Sequence, residues 1–308
     1  MAKIAVIGAG QVGATAAYTL AESGLAREIA VVDINEKLAK GVAADIAHGV
    51  PFMPPVKMVS GGYEAATGAD IVIMTAGAAQ KPGETRRDLV DKNLKIMQAA
   101  GKEIARVAPE CILVVVTNPV DVLAKAAAEY TGFDRKRVFG SGTVLDTARL
   151  KAMLSAHAGV DPRSIDAYVL GEHGDSEFAA WSLTRIAGMT AEDYCRVCGE
   201  CSGGLATQLQ ELFDREVRDA AYAVIEQKGS TCYAIGQALR RICEAILRNE
   251  RSILTVSALL DGCYGMKDLC LSVPCVVGRD GVERILEVRL SEEEMQLLKR
   301  SAEAIRRT

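Results

Sequence analysis

Short, almost continuous apolar runs alternate with helical stretches through the first half of this 308-residue chain. Lys3 to Ile7, Glu28 to Val32, Asp70 to Thr75 and Ile112 to Thr117 carry apolar residues on both faces, the pattern of strands buried in a sheet covered on two sides. Ala14 to Leu20, Ala39 to Ala47 and Leu89 to Val107 read as helices between them. Strands alternating with helices predict an α/β fold, a doubly wound parallel sheet with right-handed crossovers. The texture changes near Ser141. Beyond it lie helical stretches at Ala191 to Cys201, Gly203 to Gln227 and Cys232 to Leu247, and strands at Leu271 to Val277 and Arg284 to Arg289. A last helix opens on a Ser291/Glu294 capping box. The expected organisation is one domain over residues 1–140 and an α+β domain over 141–308.

The first strand runs directly into Gly8-Ala9-Gly10-Gln11-Val12-Gly13 and a helix. Here Gly8 makes the turn, Gly10 lets a pyrophosphate approach the backbone, and Gly13 lets helix and strand pack closely. The free N–H groups of the helix N-terminus, at Gln11 and Val12, face the phosphates. A lone GxGxxG is weak evidence. The next strand, however, ends on Asp33, twenty residues after Gly13, where a carboxylate can accept both ribose hydroxyls and would repel a 2′-phosphate. The first domain is therefore expected to be of the Rossmann type and to bind NAD in preference to NADP.

Candidate chemistry lies farther on. The apolar run Ile165 to Leu170, read as one buried strand, leads into Gly171-Glu172-His173-Gly174-Asp175-Ser176. A histidine between glycines at a strand end can exchange a proton near neutrality with a small molecule held close, or be a turn residue without a task. Asp146 and Arg149 share one helical face, as partners in catalysis or as a surface ion pair. Asn118, in Thr117-Asn118-Pro119-Val120-Asp121, is an amide at the carboxyl edge of the sheet, where open α/β sheets bind ligands. Residues 76–88 leave the same edge as a glycine-, proline- and charge-rich loop that solvation alone would explain.

Composition removes several classes of function. The chain is 49% hydrophobic and 25% charged, with a net charge of −4 and no Lys/Arg-rich run, so nucleic acid is not an expected partner. No apolar run is long enough to span a bilayer. The strand at Lys3 leaves no room for a signal peptide, and a cytoplasmic protein is expected. Nine cysteines, an odd number, argue against a complete disulfide framework. Cys195, Cys198 and Cys201 have CxxC spacing, but a structural zinc wants a fourth ligand and the sequence offers none close by. Free thiols and no metal site are the expectation.

Taken together, Gly-Ala-Gly-Gln-Val-Gly at 8–13, Gln-Lys-Pro-Gly-Glu-Thr-Arg at 80–86, Thr-Asn-Pro-Val-Asp at 117–121, Leu-Asp-Thr-Ala-Arg at 145–149 and Gly-Glu-His-Gly-Asp-Ser at 171–176 resemble the L-lactate/L-malate dehydrogenase family, more closely its bacterial L-lactate dehydrogenases. The likeness runs in the family's order from residue 3 to the final helix. It implies reversible hydride transfer between NADH and pyruvate, giving (S)-lactate, in a cytoplasmic homotetramer serving glycolysis and fermentation. It also implies His173 as the acid/base, Asp146 as the carboxylate fixing its tautomer, Arg149 as a bidentate clamp on the substrate carboxylate, and Arg86 as the loop residue polarising the carbonyl. Asn118 would hold the nicotinamide end or the substrate oxygen. In the family the position of Gln80 meets the group beyond the 2-hydroxy carbon. The malate enzymes carry arginine there, so neutral Gln80, with Thr231 near the substrate methyl, implies pyruvate over a dicarboxylate. An L-malate or broader L-2-hydroxy acid dehydrogenase is the alternative within the class, and a catalytically inactive NAD-binding structural or sensor protein lies outside it. Lys151 and Asp166 stand where members activated by fructose 1,6-bisphosphate usually carry arginine and histidine, so weak or absent activation by that sugar is implied.

Overall fold

The computed structural model describes residues 2–78, 86–198 and 205–308, without the side chains of Arg86, Cys198 and residues 205–207. Gln80 and Cys201 therefore lie outside the described residues, as do the side chains of Arg86 and Cys198. The first half is built from β1 (Lys3–Ile7), α1 (Gln11–Ser23), β2 (Glu28–Val32), α2 (Glu36–Gly49), β3 (Lys57–Gly61) and β4 (Ile71–Met74). It continues with α3 (Arg86–Val107), β5 (Ile112–Val115), α4 (Val120–Thr131), β6 (Val138–Gly140) and α5 (Val144–Ala158). The six strands form one parallel sheet in the order β3-β2-β1-β4-β5-β6, with Ile4 opposite Ile29 on one side and Ile71 on the other. The order reverses between β1 and β4, and the crevice at the carboxyl ends there is where such a sheet binds a ligand.

The continuous apolar runs are explained by the two faces they supply. Ile4, Val6, Ile29, Val31, Ile71 and Ile73 bury one face beneath Ala16, Ala17 and Leu20 of α1. Ala5, Ile7, Ala30, Val32, Val72 and Met74 bury the other beneath Met97 and Ile104 of α3 and Leu123 of α4. Alternation is absent because neither face meets water. A helix from the second half, Tyr233–Leu247, joins the first face through Leu239, Ile242 and Ile246. It approaches α1 so closely that a Cβ on Gly236 would lie 3.0 Å from the Thr15 methyl carbon.

The second half departs from the sequence pattern in four places. The hairpin Ser257–Asp261/Lys267–Ser272 joins β6 antiparallel at Ser257 and Gly140, extending the large sheet to eight strands. The predicted strand Leu271 to Val277 is broken at Pro274, which has no N–H to give a ladder. Its second part, Cys275–Gly278, pairs instead with Ser252–Leu254 and with Gly281–Ile285, so the strand expected at Arg284 begins three residues earlier. The run Ile165 to Leu170 is divided between two small sheets, Ile165–Asp166 pairing with Arg185–Ile186 and Val169–Leu170 with Phe178–Ala179. The stretch predicted as one helix over Gly203 to Gln227 contains a π-helical turn at Asp214–Arg218 between Leu205–Phe213 and Ala220–Lys228. Among the described residues no helix is long and apolar enough to cross a membrane.

Candidate active site

The glycine-rich turn has a physical reason at each glycine. Gly8 has φ +107°, and a Cβ there would lie 2.6 Å from the Ala76 nitrogen. A Cβ on Gly13 would lie 1.8 Å from the Gly8 carbonyl oxygen, so helix and turn interlock there. At Gly10 an added Cβ would meet nothing within 4 Å. Gly10 is also the N-cap of α1 and gives it no side-chain cap, leaving the first-turn N–H groups, those of Gln11 and Val12 included, for an anion. Asp33 closes the far wall. Its Oδ2 accepts from the Ala9 N–H at 2.7 Å and its Oδ1 from the Asn35 N–H at 2.8 Å, which fixes the carboxylate while each oxygen keeps a second acceptor position. Gly8, Gly10, Asp33 and Thr75 to Ala78 line a cleft of about 520 Å³. An open backbone face, a helix N-terminus and a fixed acid form a donor and acceptor set that fits the pyrophosphate and ribose of NAD.

The carboxyl ends of β4 and β5 are stitched together beside this cleft. Thr75 donates its hydroxyl to the carbonyls of Ile7 and Gly8, and Thr117 donates to those of Met74 and Ala76. Buried Asn93 of α3 accepts from the Ala78 N–H at 2.8 Å and donates to the Asn118 carbonyl at 2.9 Å, tying the two strand ends. Asn118 itself is exposed at the edge, as its motif suggested. Thr231 is half-buried on the turn between the helices Ala220–Lys228 and Tyr233–Leu247, and its neighbour Ser230 hydrogen-bonds to the Gln11 side chain of the glycine-rich turn.

His173 stands where four elements meet. Asp121, in the first turn of α4, accepts its main-chain N–H at 2.9 Å and also takes the Ser257 hydroxyl. Thr147 of α5 accepts the Val169 N–H, anchoring the strand that leads to His173 onto the helix that carries Asp146. Gly171 bridges to Ser272 of the hairpin, and Ser301 of the last helix accepts the Glu172 N–H at 2.6 Å. Gly171 has φ +103°, and a Cβ on it would lie 2.5 Å from the Ser301 hydroxyl oxygen. The imidazole is consequently held by its backbone before its side chain makes any bond.

The side-chain geometry is that of an acid/base unit. Nδ1 of His173 lies 2.7 Å from Oδ2 of Asp146, and Arg149 Nη1 donates to Oδ1 of the same carboxylate at 2.8 Å. Asp146 is 1% exposed, while a quarter of the His173 side chain remains accessible, which leaves Nε2 as the ring nitrogen not engaged by Asp146. Burial opposes charge on the imidazole, but Asp146 outweighs it, with Glu177 and Asp121 adding to the effect, and His173 is pushed up to about 9. Burial would likewise raise Asp146, yet His173 and Arg149 hold it below the usual carboxylate range. Asp121 goes the other way: burial raises it to about 6 against the hydrogen bonds it accepts. His173, Asp146 and Arg149 are thus brought together, and Asp33, Gly8 and Gly10 line the cleft at the switch point, while Gly13 packs against the turn behind it.

Asp121, Asn93, Glu177 and Ser301 escaped the sequence reading. Asp121 stood inside a quoted motif without a role, and Glu177 is four residues after His173. Asn93 and Ser301 gave no local signal. Cys195, one of the CxxC-spaced thiols, is buried. Cys195 Sγ lies 3.7 Å from Nε2 of His157, a histidine 38 positions earlier that the chain's spacing did not reveal.

A cleft at the switch point shaped for a dinucleotide and a carboxylate-backed imidazole are the features of an NAD-dependent dehydrogenase. Residues 2–140 match the family model for the lactate/malate dehydrogenase NAD binding domain, and residues 143–308 that for the lactate/malate dehydrogenase alpha/beta C-terminal domain. The chain belongs to the lactate/malate dehydrogenase family. It is 52% identical to an L-lactate dehydrogenase of Thermoanaerobacter pseudethanolicus over 307 residues, which covers 99% of this chain and 97% of that one. It is 50% identical to an L-lactate dehydrogenase of Acetivibrio thermocellus over 304 residues, covering 99% and 95%. Its fold superposes on the minor L-lactate dehydrogenase of Enterococcus mundtii with a TM-score of 0.94 at 38% identity, over 99% of this chain and 96% of that structure.

Proposed function

We propose that the protein is an NAD-dependent L-lactate dehydrogenase, reducing pyruvate to (S)-lactate and running in reverse with the same residues. The observation that carries this reading is the Asp146–His173 pair, 2.7 Å apart beside a dinucleotide cleft. When bound, the nicotinamide supplies or receives the hydride. The chain's own residues do the rest. His173, protonated at neutral pH, gives the Nε2 proton to the oxygen of the reduced carbonyl, and takes it back in alcohol oxidation. Asp146 holds Nδ1 protonated and stabilises the imidazolium. Arg149, anchored through one amine to Asp146, presents the rest of its planar fork to the substrate carboxylate. Arg86 polarises the carbonyl, and Asn118 orients the nicotinamide end or the substrate oxygen.

The substrate is a small molecule, and Gln80 supports a monocarboxylic keto acid because it offers no cation to a second carboxylate. Thr231, close to the cofactor turn through Ser230, completes the methyl side of the site. The dinucleotide-binding unit occupies residues 1–140 and the substrate unit 141–308, in a cytoplasmic homotetramer. Exposed Asp166 supports insensitivity to fructose 1,6-bisphosphate, since it would repel a phosphate beside Lys151.

The test is NADH consumption with pyruvate and with oxaloacetate, side by side at neutral pH. Fast turnover with pyruvate is expected. Preference for oxaloacetate would move the protein to the malate branch, and binding of NADH without turnover of either acid would remove the catalytic reading.

A further inference from the structure

A second acid stands behind the imidazole, and the reaction as described gives it no task. Glu177 follows His173 by four residues, its side chain is 4% exposed, and its Oε2 is 3.9 Å from Nδ1 of His173. Asp146 and Glu177 are both buried, at 1% and 4% side-chain exposure. Oxygens of both acids and the imidazole nitrogen all lie within 4.8 Å of one another. Two buried carboxyl groups this close disfavour ionising together, because little water screens their repulsion.

The surroundings decide which one keeps its charge. Asp146 receives His173 at 2.7 Å and Arg149 at 2.8 Å, and it sits in the first turn of α5, where the helix dipole favours an anion. The imidazole is farther from Glu177 and already committed to Asp146. We propose that Glu177 is a positioning residue, a neutral carboxylic acid that donates its proton in a hydrogen bond to Asp146 and acts on His173 through that carboxylate.

Burial drives the Glu177 carboxyl well above the usual range, the Asp146 charge adds to this, and His173 and Arg149 oppose it. The titratable groups that act on His173 are Asp146, Glu177 and Asp121, with Arg149 on the far oxygen of Asp146. If Glu177 is neutral its contribution disappears, and the working midpoint of His173 lies below about 9, closer to the pH at which the enzyme must exchange the proton. The third hydrogen bond also spreads the charge of Asp146, so that this carboxylate orients the imidazole without over-stabilising the imidazolium.

This inference rests on the acid/base role proposed for His173, and its test has one readout independent of turnover. Wild type, Glu177→Gln and Glu177→Leu are compared by infrared spectroscopy and by the pH profile of kcat/KM for pyruvate reduction. At neutral pH the wild type is expected to show the carbonyl band of a buried protonated acid, lost in Glu177→Gln. The amide replaces one neutral donor by another, so the pH midpoint of Glu177→Gln should stay within about 0.3 unit of wild type. Glu177→Leu removes the donor. Its midpoint should rise and its kcat fall by about tenfold, with the KM for NADH unchanged. An absent acid band would overturn the proposal, as would both variants lowering the midpoint by about one unit or more, the result of removing a charge. A leucine variant with the wild-type profile would overturn the positioning role. If that variant fails to fold, the band and the glutamine profile still decide. A protein that shows the band but turns over neither keto acid would contradict the proposed function and leave the neutral acid in place.

Discussion

Nδ1 of His173 and Oδ2 of Asp146 are 2.7 Å apart, and the same carboxylate accepts Arg149 through its other oxygen. One buried anion therefore holds both the imidazole proposed to carry the proton and the arginine proposed to clamp the substrate. Its removal affects both. Asp146→Asn leaves the shape but cannot hold the imidazolium, so we expect kcat/KM for pyruvate to fall by roughly 10²–10⁴. In the wild type, reduction needs protonated His173 and is lost as pH rises toward about 9, while lactate oxidation gains over the same range. In Asp146→Asn the midpoint should move down toward the ordinary 6.5. The sign for stability agrees. A histidine raised in the folded state contributes stability fully present below about 6.5 and lost as pH climbs above that value toward about 9. Initial-rate pH profiles and thermal unfolding across that window check both, and a midpoint indifferent to the substitution would contradict the pairing.

The position of His173 depends on Asp121, which joins its main-chain N–H to the Ser257 hydroxyl across three elements. Asp121→Ala would leave both donors without their acceptor in a buried site. Each such loss costs ~1–3 kcal/mol, so we expect a destabilisation of about 2–4 kcal/mol and a lower kcat. Asp121→Asn keeps one acceptor oxygen and should cost less than half as much. Because burial raises Asp121 to about 6, ionising it in the fold costs stability as pH rises from its ordinary value toward 6, and this cost is absent in the asparagine variant. Chemical denaturation at pH 5 and pH 7 separates the effects. Equal stability losses in the two variants would mean that the acceptor is unimportant.

What the sequence made legible was local. The glycine spacing, the Asp33 offset and the Leu-Asp-Thr-Ala-Arg and Gly-Glu-His-Gly-Asp-Ser motifs each concentrate their signal within a few residues, and periodicity suffices for strands buried on both faces. The remainder depends on contacts between distant segments. Ser301 reaches Glu172 across 129 positions and Ser257 reaches Asp121 across 136, and neither serine looks unusual in its own neighbourhood. The run Ile165 to Leu170 reads as a single strand because burial is continuous, although its two halves pair in different sheets. Pro274 was a readable break that the apolar pattern around it concealed.

Gly10 and Gly13 separate cofactor binding from folding. A methyl group at Gly10 meets nothing, so Gly10→Ala should retain the wild-type melting temperature within about 2 °C while weakening NADH binding by about tenfold or more. A methyl group at Gly13 would lie 1.8 Å from the Gly8 carbonyl oxygen, so Gly13→Ala must displace the turn itself and should lose stability and affinity together. Calorimetric binding and melting curves on both variants test the distinction. Unweakened NADH binding in Gly10→Ala would show that the phosphates do not approach the backbone there.

In the proposed function Gln80 is the residue on which substrate choice turns, and its consequence can be argued from charge alone. A closed site that admits a dicarboxylate must supply a cation for the second carboxylate, or bear the cost of desolvating it unpaired. Glutamine supplies none. Gln80→Arg introduces a planar guanidinium able to pair bidentately with that group, and it places an uncompensated charge against a methyl. We expect the ratio of kcat/KM for oxaloacetate over pyruvate to rise by about 10²-fold or more, with gain on one substrate and loss on the other. The measurement is the pair of kcat/KM values for wild type and variant at one pH and one NADH concentration. An unchanged ratio would remove residue 80 from substrate recognition and leave Thr231 and the walls around it to account for the choice.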